Sequence, residues 1–223
     1  MKKWCVSLIG IIVLPVLAIA LNSEPPAVVT TTKGVNVTVD EFKAYYKTYK
    51  DRIRKTKSKD WYFNLSDKII AAKELALQKI ILHEAQKSNT EQSPFFRKFK
   101  PEMDKAFREI DQKARAEHLK PKVVRLMKQK IKNSFLCKAY LNQQMEPYIQ
   151  VSDDDVDNFL MAHQGQYALK PDKKNTKAQI IQRKTLEQLI QSEKRTRIAD
   201  QIAQSLLKEY HLKINEKLLQ KID

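Results

Sequence analysis

Apolar positions spaced by three and four recur from residue 40 to residue 210 and predict a succession of helices. Ahead of them, Val35, Val37 and Val39 alternate with Asn36 and Thr38, the two-residue period of a strand, so 27–39 reads as β, with a turn at Lys33-Gly34. Thr38 and Glu41 have the spacing of a capping box. It predicts a helix from near Asp40 carrying Phe42, Tyr45, Tyr46 and Tyr49, and a basic stretch over 50–59 follows. Asn64 or Ser66 caps the next helix. Leu65, Ile69, Ala72, Ala76 and Ile80 form its apolar stripe, Ile70, Leu77 and Ile81 widen it, and it fades at Lys87-Ser88-Asn89. Pro94 and Pro101 bracket Phe95, Phe96 and Phe99, an aromatic anchor between helices.

Met103 to Leu119 is predicted helical, with Met103, Phe107, Ile110 and Ala114 on one side. Pro121 opens another helix bearing Val124, Met127, Ile131 and Phe135, and Pro147 ends it. Ser152 and Asp155 make a second capping-box pattern, and Asp153-Asp154-Asp155 suits the positive end of a helix. That helix runs through Asn158, Phe159 and Leu160 and stops near Gly165. Residues 171–176 are a polar break. A long helix follows to about Tyr210, with Ile198, Ile202, Leu206 and Tyr210 at intervals of four. Leu212 and Ile214 suggest a short strand, and Leu218, Leu219 and Ile222 a terminal helical turn.

The first twenty residues read differently. Lys2 and Lys3 precede an apolar run from Trp4 that closes on Ala18-Ile19-Ala20, the small-x-small pattern of a secretory signal. The run is short for a membrane span, so cleavage after Ala20 is expected, with an uncleaved anchor as the rival. Cys5 is an ordinary apolar residue of that signal. Without residues 1–20, which carry two lysines and no acid, the formal charge of +16 becomes +14. The one remaining thiol is Cys137, so no intramolecular disulfide forms. Beyond the signal the glycines are Gly34 and Gly165, which argues against phosphate-cradling loops and for long helices. The positive charge attracts nucleic acid, anionic lipid or acidic unfolded polypeptide, and export makes nucleic acid the poorest of the three.

The order of these segments resembles the chaperone module of the SurA-type periplasmic folding factors and their PrsA- and PpiD-like relatives. Gly34 to Phe42 is similar to the family's opening strand and helix cap. Ile69 to Asn89, with Ile80-Ile81-Leu82-His83-Glu84-Ala85, is similar to its second helix. Ile149 to Phe159 is similar to the segment leading toward its isomerase domain, and Lys208 to Leu219 to its closing helix and strand. The resemblance implies a mainly α fold, a SurA-type helical chaperone module with a small β element formed by the N- and C-terminal segments, so that 27–39 lies beside 212–214. It divides the chain into a signal at 1–20 and one module over 21–223. Within that module 21–171 is helical, 172–176 is a short linker standing where an isomerase domain would be, and 177–223 holds the last helix and terminal strand. After Gln166-Tyr167-Ala168-Leu169 the parvulin isomerase domain has no counterpart, so a non-enzyme is expected.

Other chemistry reads weakly. His83-Glu84 begins like a zinc-protease helix, but Lys87 stands where the second histidine is required. Asp153-Asp154-Asp155 lacks the glycine and bidentate glutamate of an EF-hand loop. Cys137 sits in an amphipathic helix with Leu141 and Met145 and reads as a structural thiol. Asn36-Val37-Thr38 and Asn64-Leu65-Ser66 are glycosylation sequons, meaningful only in a eukaryotic secretory pathway. No catalytic, metal or cofactor site is expected.

The aromatics Tyr45, Tyr46, Tyr49, Trp61, Tyr62, Phe63, Phe95, Phe96 and Phe99 lie near basic residues and are either core or the lining of a peptide-binding groove. The leading expectation is an exported, ATP-independent holding chaperone in the periplasm of a Gram-negative-type bacterium, with inner-membrane anchoring or secretion as alternatives. Its partners would be unfolded or nascent exported polypeptides, including outer-membrane proteins. Membrane-surface association is left open, as is oligomeric state, and no nucleic acid is expected. The rival functions are a degenerate peptidyl-prolyl isomerase and a surface or envelope interaction protein.

Overall fold

A computed structural model describes residues 27–57, 59–163, 166–169 and 179–222. The expected signal at 1–20, the stop at Gly165 and the polar break at 171–176 lie outside the described residues. Along the chain run strands β1 (Val28–Thr31) and β2 (Val37–Thr38), then helices α1 (Val39–Thr56), α2 (Leu65–Lys87), α3 (Pro94–Lys98), α4 (Lys100–Ala116), α5 (Pro121–Met145) and α6 (Asp153–Ala162). Strands β3 (Tyr167–Ala168) and β4 (Gln179–Ile180), helix α7 (Arg183–Glu209), strand β5 (Lys213–Ile214) and helix α8 (Glu216–Gln220) complete the order. The fold is mainly α. The described residues fall into two compact units, 27–142 with 203–222, and 143–202, the divisions falling within α5 and α7.

In the larger unit the three-stranded sheet runs β2-β1-β5, all antiparallel, with Thr30 opposite Ile214 and Thr31 opposite Lys213. The segments expected to meet therefore do meet. Gly34 adopts φ +79° in the turn between β1 and β2, a backbone conformation open to glycine at no steric cost. The Val29 carbonyl also accepts from the Asn215 amide at 2.9 Å.

Helix α1 starts one residue before the expected Asp40, and the Thr38–Glu41 capping box forms in both directions. Phe42, Tyr45, Tyr46 and Tyr49 follow the helical period and are all buried. They face α2, where Ala71, Ala72 and Ala76 are fully buried. The small side chains leave room for a ladder of rings. Phe42 stacks on Tyr46 at 5.3 Å between centroids, Tyr46 on Tyr49 at 5.9 Å, and Phe63 meets Tyr46 edge-on. Leu219 and Ile222 close the same core. Full burial of a side chain such as Phe42 or Leu219 stabilises by about 1.5–3 kcal/mol.

Of the two proposed caps for α2, Asn64 does the work, in a reciprocal box with Asp67. At the far end, Tyr210 donates its hydroxyl to Glu84, and its ring stands edge-on to His83. That hydrogen bond, with Lys87 beyond it, holds the Glu84 carboxyl below the usual carboxylate range.

The smaller unit is built on the second capping box. Ser152 and Asp155 cap α6 reciprocally, and Lys194 on α7 donates to Asp155 at 2.5 Å and to the Gln150 carbonyl at 2.7 Å. Val156 and Phe159 pack with Ile181, Leu186 and Ile190. One expectation changes here: the last long helix starts at Arg183, not 177, because 179–180 form a strand parallel to 167–168. The Ile181 amide donates to the Ala168 carbonyl at 2.9 Å, and the Ile181 side chain is buried in this core.

Candidate functional site: a basic groove between α4 and α5

Helices α4 and α5 are joined by a turn in which His118 takes φ +50°, the left-handed conformation that reverses the chain. On α4, Phe107, Asp111, Ala114 and Arg115 recur at helical spacing. On α5, Pro121, Val124, Arg125, Lys128, Gln129 and Lys132 do the same. The two stripes, with Leu119 from the turn, line an open groove of about 620 Å³.

Its floor is apolar and half-buried: Phe107, Ala114, Leu119 and Val124. Of α4 only Ile110 is buried, so this helix leaves much of its apolar surface within reach of solvent. Its rim is basic. Lys128 donates to Asp111 at 2.7 Å and stands 5.7 Å from the centre of the Phe107 ring. Lys132 pairs with Glu91 at 2.6 Å. Arg115 and Arg125 are exposed and have no partner among the described residues. A groove with an apolar floor and two unengaged guanidinium groups suits an apolar segment that also carries carboxylates.

The nine aromatics offered as groove lining do not converge. Tyr45, Tyr46 and Tyr49 are interior, and burial pushes the Tyr46 and Tyr49 hydroxyls up to about 12. Tyr45 donates to Glu74 at 2.7 Å and accepts from Gln78. Phe96 is buried as well. These four are corrected from candidate contacts to core: the three tyrosines pack on the alanine face of α2, and Phe96 is the buried residue of α3. Phe63 is half-buried against Tyr46, and Phe99 half-buried against Phe135 at 5.5 Å. Phe95 is half-buried with Lys98 over its face at 5.2 Å. Trp61 and Tyr62 stand out at the surface, 40% and 84% exposed.

The groove itself was within partial reach of the sequence. The helical period puts Phe107 and Ala114 on one side of their helix and Val124 in the stripe of the next. What the pattern lacked was any sign that these side chains stay half-exposed in the fold.

Cys137 is half-buried, and burial pushes its thiol up to about 12, which favours the protonated form at neutral pH. Among the described residues no group of His, Cys, Asp or Glu is placed to hold a metal ion, and no helix is long and apolar enough to cross a membrane. Comparison with protein-family models, with curated proteins and with solved structures finds no match for this chain.

Proposed function

We propose that this chain is an exported, ATP-independent holding chaperone that binds unfolded segments of envelope proteins. The observation that carries the reading is the groove between α4 and α5, with its apolar floor and the free Arg115 and Arg125 on its rim. An unfolded segment presents apolar side chains at irregular intervals. A shallow open groove accepts them without demanding one sequence, and the surrounding charge steers acidic clients while keeping the chaperone soluble. The pairing of 28–31 with 213–214 supports the resemblance to the SurA-type module, which implies that arrangement. Export rests on the signal-like residues 1–20.

The test is suppression of aggregation of a denatured outer-membrane protein by the chain from residue 21 onward. Delayed light scattering, with binding of unfolded peptides, is the expected result. An unchanged time course and no peptide binding would sink the proposal.

A further inference from the structure

We propose that the Trp61-Tyr62 loop at the end of α1 is a reversible docking surface for an anionic lipid bilayer. This goes beyond the chaperone reading and rests on a different part of the molecule. The last turns of α1 and the residues after it carry Arg54, Lys55, Lys57 and Lys59, all exposed, with no acid from 52 to 59. Directly beyond them stand Trp61 and Tyr62, both at the surface, with Tyr62 the more exposed of the two. Lys57 lies 5.7 Å from the Trp61 ring centre, so charge and ring share one surface. Asp60 is the one acid among residues 52–62.

The neighbouring Phe63 shows the alternative that these two rings did not take. It turns inward against Tyr46, whereas Tyr62 remains 84% exposed. Indole and phenol rings have an apolar body and a polar tip, and both are favoured at the headgroup level of a bilayer. Lysine and arginine near an anionic surface contribute about 1 kcal/mol each, so four cations supply attraction that neither ring provides alone. A soft, planar interface can envelop a ring exposed on nearly every side. A peptide would grip it from one side only. The docked state is peripheral, because the loop supplies two rings and no apolar helix.

The experiment uses the chain from residue 21 to 223, in which Trp61 is the one tryptophan. Vesicles of phosphatidylcholine alone are compared with vesicles containing about 30% phosphatidylglycerol, an anionic surface. Trp61 emission should shift to the blue and be quenched by brominated acyl chains with the anionic vesicles alone. The shift should vanish at about 0.5 M salt, where charges are screened within a few ångströms. Lys55→Gln with Lys59→Gln should weaken partitioning roughly thirtyfold, two cations' worth of attraction. Lys113→Gln with Lys122→Gln, on α4 and α5, should leave it unchanged.

The proposal is overturned if Trp61 does not respond, if neutral vesicles bind equally well, or if the distant lysine pair weakens binding as much as the loop pair. It is also overturned if an acidic unfolded peptide shifts Trp61 while vesicles do not, since the loop would then belong to client binding. Because the readout is taken with lipid alone, its failure is distinct from failure of the chaperone assay.

Discussion

Tyr45 and Tyr46 are neighbours with the same side chain, and both are buried, yet their hydroxyls meet opposite circumstances. The Tyr45 hydroxyl donates to Glu74, which also pairs with Arg52, and accepts from Gln78. The Tyr46 hydroxyl is buried with no hydrogen-bond partner among the described residues. A buried polar group without a partner costs roughly 1–3 kcal/mol, whereas a satisfied bond to a charged group stabilises by a similar amount. Tyr45→Phe should therefore lower stability by about 1–2 kcal/mol, and Tyr46→Phe should leave it unchanged or raise it by about 1 kcal/mol. Urea denaturation midpoints of the two variants, at constant slope, check the contrast. Equal losses would mean that the Tyr46 hydroxyl is as well satisfied as that of Tyr45, and would overturn the contrast.

Helix ends govern the next level of organisation, and α6 shows how much a cap can gather. The Asp155 carboxyl is drawn down to about 2, first by the hydrogen bond from Lys194 and then by those from the Ser152 backbone and side chain. Its folded value lies below the unfolded one, so its contribution is present above about pH 4 and is lost as the pH falls toward 2. The protection of the α6 amides from hydrogen exchange, relative to the unstructured rate at each pH, should fall over that window, and Lys194→Gln should flatten most of the dependence. At neutral pH, Ser152→Ala should cost about 1 kcal/mol.

Helix α8 makes the same point about packing. It is only five residues long, and Leu219 on it is fully buried in the core of α1 and α2. Leu219→Ala should cost about 2–5 kcal/mol, as for a central core leucine, and should lower the thermal midpoint of the larger unit. A cost near zero would show that α8 is not part of the folding unit.

For the molecule as a whole, the proposed client binding rests on charge and on the open groove between α4 and α5. Asp111 and Glu91 neutralise Lys128 and Lys132, which leaves Arg115 and Arg125 as the groove's free cations. Arg115→Glu with Arg125→Glu should weaken binding of an acidic unfolded peptide about tenfold or more, a change on the order of 1.4 kcal/mol. The same pair should affect a neutral apolar peptide far less. Fluorescence anisotropy of labelled peptides reads both. Equal effects on the two peptides would place binding elsewhere than this rim.

Much of the secondary structure was legible along the chain because its determinants are local. The Thr38–Glu41 and Ser152–Asp155 capping boxes, the Asn64 cap and the prolines at 121 and 147 act within a few residues of themselves. The pairing of 28–31 with 213–214 followed from segment order through resemblance. Local pattern failed where a distant neighbour set the outcome. Residues 179–180 became a strand because 167–168 offered a backbone edge, and Tyr45, Tyr46 and Tyr49 became core because three alanines of α2 made space for rings. The groove needed the most distant information of all. An apolar helical stripe has the same spacing whether it is covered or open, and that Phe107 and Val124 stay half-exposed depends on which elements fold over them.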